Sequence, residues 1–320
     1  MKVFRGCPNP LLRLPTALAI GNFDGVHLGH QALLQQVVQA ANARGLVPSV
    51  MTFEPHPREV LGPGSEHTRL STLYDKVLRI LETGIQRIYV MPFHKSLSGL
   101  SPEAFARTVL VDGLDTHWVT VGENFRFGDK GAGRVSDLER LGRELNFETY
   151  IAPLLTHDGE RVSSTRVRRA LAENDFYEAR LMLGRNYSMT GRVIHGRALG
   201  RKLGFPTLNI APIPVWSDAR PAVSGVFAVR VKGLSPTIVY NGVASLGVKP
   251  TICSDRRFLL ETNVFDWTGD AYGRVVEIEF IERLRSEKKF SGIDELKAAI
   301  NADALNARRL LGSPLETITP

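Results

Sequence analysis

The sequence predicts an α/β domain followed by a small antiparallel β domain with a terminal helix. Three observations carry this. In the first half, apolar segments with strand and helix periods alternate in the order βαβαβ. In the second half, runs with a period of two and one polar face take over. The chain has 320 residues, enough for two domains that each bury a core, at roughly 150 residues per domain.

The first expected strand is Ala17–Ile20, an apolar run that stops at Gly21. Leu33, Leu34, Val37, Val38 and Ala41 then recur on one helical face, and Gly45 supplies a stop. A strand is expected at 47–53 (VPSVMTF), a helix at 74–83, a strand at 87–93 (RIYVMPF), a helix at 102–111 and a strand at 117–121. This order implies a parallel sheet with helices on both faces, and such sheets bind ligands at the carboxyl ends of their strands. Helices at 166–172 and 177–183 close this half, and the boundary is expected at 184/185, giving domains 1–184 and 185–320. Beyond it, Phe227, Val229 and Val231 alternate with Ala228 and Arg230, and Val276, Ile278 and Phe280 alternate with Glu277 and Glu279. Glycine and proline clusters separate these runs, which predicts a small barrel or sandwich. Ile293, Leu296, Ala299 and Ile300 share one face of a last helix.

Hydrophobic residues make up 43% and charged residues 23%, a globular rather than a disordered balance. The formal net charge is +7, and nearly all of the excess lies after residue 184. A basic half suits nucleic acid, an anionic membrane surface or phosphate-rich small ligands. No apolar run approaches about 18 residues, so no membrane-spanning helix is expected, and the N-terminal segment lacks a cleavable-leader pattern. The two cysteines, Cys7 and Cys253, have neither CxxC nor Cys/His metal spacing, which argues against a disulfide framework or a structural zinc site. A cytoplasmic protein is expected.

The most informative segment is 21–30, GNFDGVHLGH, between a strand and a helix. Gly21 and Gly25 allow a tight turn, and the helix start offers free N–H groups to phosphate. His27 and His30 lie on one side of that start, and Gly29 between them leaves room for a nucleotide. Two imidazoles there can stabilise charge growing on a phosphate during in-line displacement. Two surface histidines of an ordinary helix are the simpler reading. A two-histidine zinc site would lack a third ligand at metal spacing.

This string, with TFEPHP at 52–57, GENFRFG at 122–128 and VSSTRVR at 162–168, resembles the FMN adenylyltransferase module of prokaryotic FAD synthetases, within the HxGH nucleotidyltransferase superfamily. The resemblance implies a Rossmann-like fold. It implies that His27 and His30 stabilise the transferring phosphoryl group, and that Ser164, Thr165 and Arg168 bind the outer phosphates of ATP. Two hydroxyls and a guanidinium at a helix start suit that task, although SSTRVR equally suits a helix cap followed by solvated arginines. Gly21, Asn22, Phe23, Asp24, Gly29 and Asn124 are the further implied ATP or flavin contacts. His56 is either loop surface or a direct participant.

Residues 191–210, GRVIHGRALGRKLGFPTLNI, form neither GxGxxG nor a Walker A pattern. They resemble the GRxLGFPTAN signature of riboflavin kinases, and the resemblance implies that family's small antiparallel barrel. It places Gly196, Gly200, Arg201, Gly204, Phe205 and Pro206 around ATP, and makes Thr207 and Asn209 ligands of Mg²⁺ and the phosphates. Arg192, Arg197, Arg201 and Lys202 give that loop its charge, which phosphate would offset. GVASLGVKPTI at 242–252 and LLETNVFDWTGDAYG at 259–273 continue the resemblance. Glu261 matches the family's base, which takes the proton of the riboflavin 5′-hydroxyl. Arg285 and Glu287, in RLRSEKKF at 283–290, match flavin contacts. Leu208, Ser245 and Asn263 depart from the family's Ala, Asn and His.

The resemblance spans nearly the whole chain and implies a bifunctional flavin enzyme. It would use Mg²⁺ with ATP, riboflavin and FMN as substrates, as a monomer or weak homo-oligomer, with no nucleic-acid or membrane partner. A different HxGH adenylyltransferase would leave residues 191–290 without a role. An RNA-binding regulator would interleave aromatics with its basic residues, whereas here the cations cluster in glycine loops.

Overall fold

The computed structural model describes residues 1–61, 67–196, 200, 204–250, 256–312 and 315–316. Cys253, Arg197, Arg201 and Lys202 lie outside the described residues. Two compact units form: residues 1–67 with 76–163, and residues 68–75 with 164–320.

The first unit is built on a six-stranded parallel sheet. Its strands are β1 (Lys2–Arg5), β2 (Thr16–Ile20), β3 (Val47–Glu54), β4 (Arg87–Pro92), β5 (Thr116–Gly122) and β6 (Glu148–Ala152), in spatial order β1-β4-β3-β2-β5-β6. Its helices include α1 (Leu28–Arg44), most of α2 (Leu73–Leu81) and α3 (Val135–Leu145). All five residues of β2 are buried, as expected of a strand covered on both faces. Leu18 and Ile20 join Phe105, Leu110, Leu138 and Leu141 in one core, while α1 packs against β2 and β3. Gly45 ends α1 in the left-handed region, at φ 66°. Pro102–Phe105 is helical as expected, and Ala106–Val111 widens into a π turn.

From β2 the chain moves to β3 and β4 on one side. From β5 it moves to β6 on the other. The gap between the carboxyl ends of β2 and β5 is therefore the topological switch point, where open α/β sheets bind ligands. The loops beginning at Gly21 and Gly122 both start there.

In the second unit, α4 (Ser164–Ala172) and α5 (Phe176–Leu183) precede a barrel of six antiparallel strands. These are β7 (Ser188–Arg192), β8 (Leu208–Ile210), β9 (Gly225–Lys232), β10 (Ile238–Pro250), β11 (Arg256–Val264) and β12 (Val275–Arg285), in spatial order β7-β12-β9-β10-β11-β8. Two register shifts between β9 and β12 add the curl a small barrel needs. The open edges meet where Ile194 N–H donates to the Asn209 carbonyl at 2.9 Å, and only a glycine fits at 191 against Ile210. Phe227, Val229, Val231, Val276, Ile278 and Phe280 fill the interior, matching the period-two reading. Ala228 is buried as well, because α6 (Ile293–Leu311) covers its face with Ala307 and Leu311.

The compact units meet at residues 163 and 164. The helix pair α4–α5 joins the barrel because Phe176 packs edge-on to Phe227, with ring centroids 6.0 Å apart. Residues 68–75 join it through a bridge between Thr68–Arg69 and Arg220–Pro221, and through Arg168 Nε, which donates to the Thr68 carbonyl at 2.6 Å.

Candidate active sites

The loop after β2 turns on three left-handed residues, Phe23 (φ 49°), Gly25 (φ 81°) and Val26 (φ 40°). Phe23 folds back until a Cβ on Gly21 would lie 3.1 Å from its ring. Gly21 is thus needed for close approach, and Gly25 alone of the two glycines for its dihedral. Thr52 at the end of β3 holds the loop by donating to the Asn22 carbonyl at 3.1 Å. His27 caps α1: its Nδ1 accepts the His30 N–H at 3.3 Å. That bond makes Nε2 the protonated nitrogen of the neutral ring, and so a donor. The His30 ring stacks on His27 with centroids 3.7 Å apart and planes at 16°. A Cβ on Gly29 would sit 3.2 Å from the His27 ring, so the glycine makes room for the histidine stack.

At the switch point lies a cavity of about 700 Å³. Asn22 and Asn124 line it from the two loops, and Phe53, Phe93, Phe125 and Phe127 form aromatic walls. Phe125 and Phe127 stack at 5.6 Å, and Phe53 meets Phe93 edge-on at 5.5 Å. Arg126 and Lys130 bring positive charge to the same wall. Flat apolar walls, amides and cations together suit a planar heteroaromatic ligand that carries an anionic tail.

In the second unit a cavity of about 220 Å³ lies between the barrel strands and α6. Thr207, Ser245, Glu261 and Asn263 line it from β10, β11 and the segment leading into β8. Glu261 stands opposite Asn209 on one neighbouring strand and Ser245 on the other. Leu296, Ile300 and Phe290 supply the apolar wall. Arg285 is gripped by the nearly buried Asp303 of α6, with three contacts from 2.7 to 3.1 Å, and its guanidinium lies 5.6 Å from the Phe290 ring centroid. Asn209 is buried, and its Oδ1 has no hydrogen-bond partner among the described residues.

A family model described as FAD synthetase matches residues 12–166, and one described as riboflavin kinase matches residues 183–311. Proteins named bifunctional riboflavin kinase/FMN adenylyltransferase match along nearly the whole chain. That of Escherichia coli K12 is 38% identical over 318 residues, 98% of each chain, and that of Haemophilus influenzae is 36% identical over 98% of this chain and 96% of its own. That of Pseudomonas fluorescens is 39% identical over 91% of each. The chain belongs to the family of bifunctional riboflavin kinase/FMN adenylyltransferases. A solved structure named a macrolide-efflux protein from Streptococcus pneumoniae shares the fold, with a TM-score of 0.73 and 25% identity over 98% of this chain and 99% of that one. Among the described residues of this chain, no helix is long and apolar enough to cross a membrane.

Against the flavin-enzyme family pattern, the expected residues fall in different places. Asn22 and Asn124 line the first cavity, and Gly200, Phe205, Thr207, Glu261, Arg285 and Glu287 line the second. Phe23 and Asp24 are buried beneath their loop, at 1% and 3% exposure, and His56 is buried rather than loop surface. Gly196, Gly204, Pro206 and Asn209 stand off the second cavity wall: Gly204 turns the chain at φ 87°, and Gly196 packs on the Asn209 amide. Arg201 lies outside the described residues. Ser164, Thr165 and Arg168 occupy the first turns of α4 in the second unit. Asn263 donates to the Pro206 carbonyl at 2.7 Å, so the departure from histidine still ties β11 to the FPT turn. Sequence reasoning missed Phe53, Phe93, Arg126, Lys130 and Asp303. The two phenylalanines were findable, since Phe53 lies at the carboxyl end of β3 and Phe93 follows that of β4.

Proposed function

We propose that this chain makes FMN and ADP from riboflavin and ATP in its riboflavin-kinase region, then FAD and pyrophosphate from FMN and a second ATP in its FAD-synthetase region. The observation that supports this best is the cavity shared by Asn22 and Asn124, whose aromatic walls and cations suit a flavin phosphate.

In the adenylyl transfer, His27 Nε2–H and His30 donate to the α-phosphate as charge develops there. Their fixed stack means little reorganisation is needed at that moment. Ser164, Thr165 and Arg168 hold the outer phosphates. Asn22 and Asn124 orient FMN. Gly21, Phe23, Asp24 and Gly29 shape the loop that carries the two histidines.

In the kinase step, Glu261 takes the proton of the riboflavin 5′-hydroxyl as that oxygen attacks the γ-phosphate. Gly196, Gly200, Gly204, Phe205 and Pro206 belong to the segment around ATP, while Arg285 and Glu287 border the flavin. Thr207 and Asn209 hold Mg²⁺. A hydroxyl and a buried amide oxygen with no hydrogen-bond partner among the described residues fit a hard cation, which when bound neutralises phosphate charge. The enzyme works in the cytoplasm on small molecules, as a monomer or weak homo-oligomer, with no nucleic-acid or membrane partner. Chromatography of products from riboflavin and Mg-ATP tests the reading: FMN should form first and FAD follow, and the absence of either product refutes the corresponding assignment.

A further inference from the structure

We propose that Asp24, His56 and His67 bind one divalent cation of the zinc class. The three come from separate segments of the first unit: the loop after β2, the turn after β3, and the stretch before α2. All three are buried, at 3%, 5% and 5% exposure. One ligand atom from each lies within 4.8 Å of the other two. The His56 and His67 rings stack with centroids 4.1 Å apart and planes at 26°.

The donor set selects the ion. Two imidazole nitrogens and one carboxylate oxygen suit Zn²⁺, Co²⁺ and their neighbours, whereas Mg²⁺ favours oxygen and retains its waters. A cation about 2.1 Å from each donor holds the donors roughly 3.4 Å apart in a tetrahedral site. The 4.8 Å bound is thus within about 1.4 Å of closure, a distance that side-chain torsions cover. Three protein ligands leave a fourth position for water. The site is separate from the Mg²⁺ ligands assigned to the kinase step, and it does not depend on that assignment.

A further contact gives the proposal a signature. The Arg58 N–H donates to His56 Nδ1 at 3.2 Å. If Nε2 coordinates the cation, Nδ1 carries the ring proton. If Nδ1 coordinates, its lone pair is taken. In both cases the Arg58 amide loses its acceptor, so cation binding must be visible at that amide.

The test uses the full chain without an affinity tag, stripped with chelator and titrated with Co²⁺. One equivalent should bind with visible d–d absorption and be displaced by Zn²⁺, and the Arg58 amide resonance should move. His67→Ala and Asp24→Asn should each weaken Co²⁺ binding at least about a hundredfold. Circular dichroism and the thermal unfolding transition of the first unit report whether each variant is folded. Absence of Co²⁺ binding, binding that both folded variants retain, or an unmoved Arg58 amide overturns the proposal and leaves a hydrogen-bonded Asp–His–His cluster. The amide measurement needs only the wild-type chain, so it decides the matter even if a variant does not fold.

Discussion

Replacing Asp75 with asparagine should stabilise the protein at neutral pH and do little in mild acid. Asp75 is 3% exposed in the first turn of α2. Thr72 N–H donates to its carboxylate at 3.3 Å, and the Asp75 N–H donates to the Thr72 hydroxyl at 3.0 Å. Burial lifts the carboxyl from 3.8 to about 6, although hydrogen bonds with Thr190 and Thr72 pull the other way. The sign follows from which state holds the proton more tightly. With its pKa raised, the folded chain does so, and stability falls as pH rises through the window from 3.8 to about 6. Above that window the ionised carboxylate costs roughly 3 kcal/mol, at 1.36 kcal/mol per pH unit. Asparagine carries no charge, and its amide oxygen can still accept from Thr72. The difference in unfolding free energy between variant and wild type should therefore grow by roughly 2.4 kcal/mol between pH 4 and pH 7. Other titrating groups are common to both proteins and cancel. Denaturant unfolding across that range, following the transition of the second unit, measures it. Parallel pH profiles for the two proteins would refute the reasoning.

Three catalytic predictions follow from the sites. His27→Ala should lower FAD formation from supplied FMN by about 10²–10³-fold, the loss typical of one fixed donor to a developing charge, and leave FMN formation intact. Equal loss of both activities in folded protein contradicts the separation of sites. Glu261→Gln should lower riboflavin phosphorylation by about 10²–10⁴-fold while FAD synthesis from FMN continues. Retained kinase turnover removes Glu261 as the base. Asn263→Ala should release the Pro206 carbonyl and raise the kinase KM for ATP about fivefold, equivalent to one hydrogen bond near 1 kcal/mol. Asn263→His should restore it, and steady-state kinetics with varied ATP distinguishes the two.

The parts of the fold that repeat locally were legible. Period two placed Phe227 and Phe280 inside the barrel, and the spacing of Leu33, Leu34, Val37 and Ala41 gave the buried face of α1. The string at 21–30 revealed the histidine pair because both partners lie within one helical turn. Contacts between distant segments were not legible, since periodicity gives a face but not what lies on it. Arg285 read as a candidate flavin contact, but its partner Asp303 is 18 residues away on another element. Leu296 and Ile300 read as one helical face, and what that face meets, the wall of a cavity, was not in the pattern. The helices at 164–183 carried no mark that Phe176 would meet Phe227. Asp24, His56 and His67 carried no common motif, because they come from three separate segments of the chain.

The three departures from the riboflavin-kinase signature separate by strand face. Opposed residues on antiparallel strands share a face, and neighbours along a strand alternate. Leu208 opposes Thr262, on the face that also carries Leu246 and Leu260, and all four are buried in the barrel. Leucine there adds volume to the core and leaves the register of Asn209 and Glu261 unchanged. Ser245 and Asn263 lie on the opposite face, with Glu261 and the cavity. Serine is shorter than the family's asparagine, so that substitution widens the wall beside Glu261. Asn263 supplies a donor to Pro206 in place of the family's histidine. Changes in kinase behaviour should therefore trace to position 245. Ser245→Asn, which restores the family's residue, should alter the KM for riboflavin, whereas Leu208→Ala should alter stability and leave that KM unchanged.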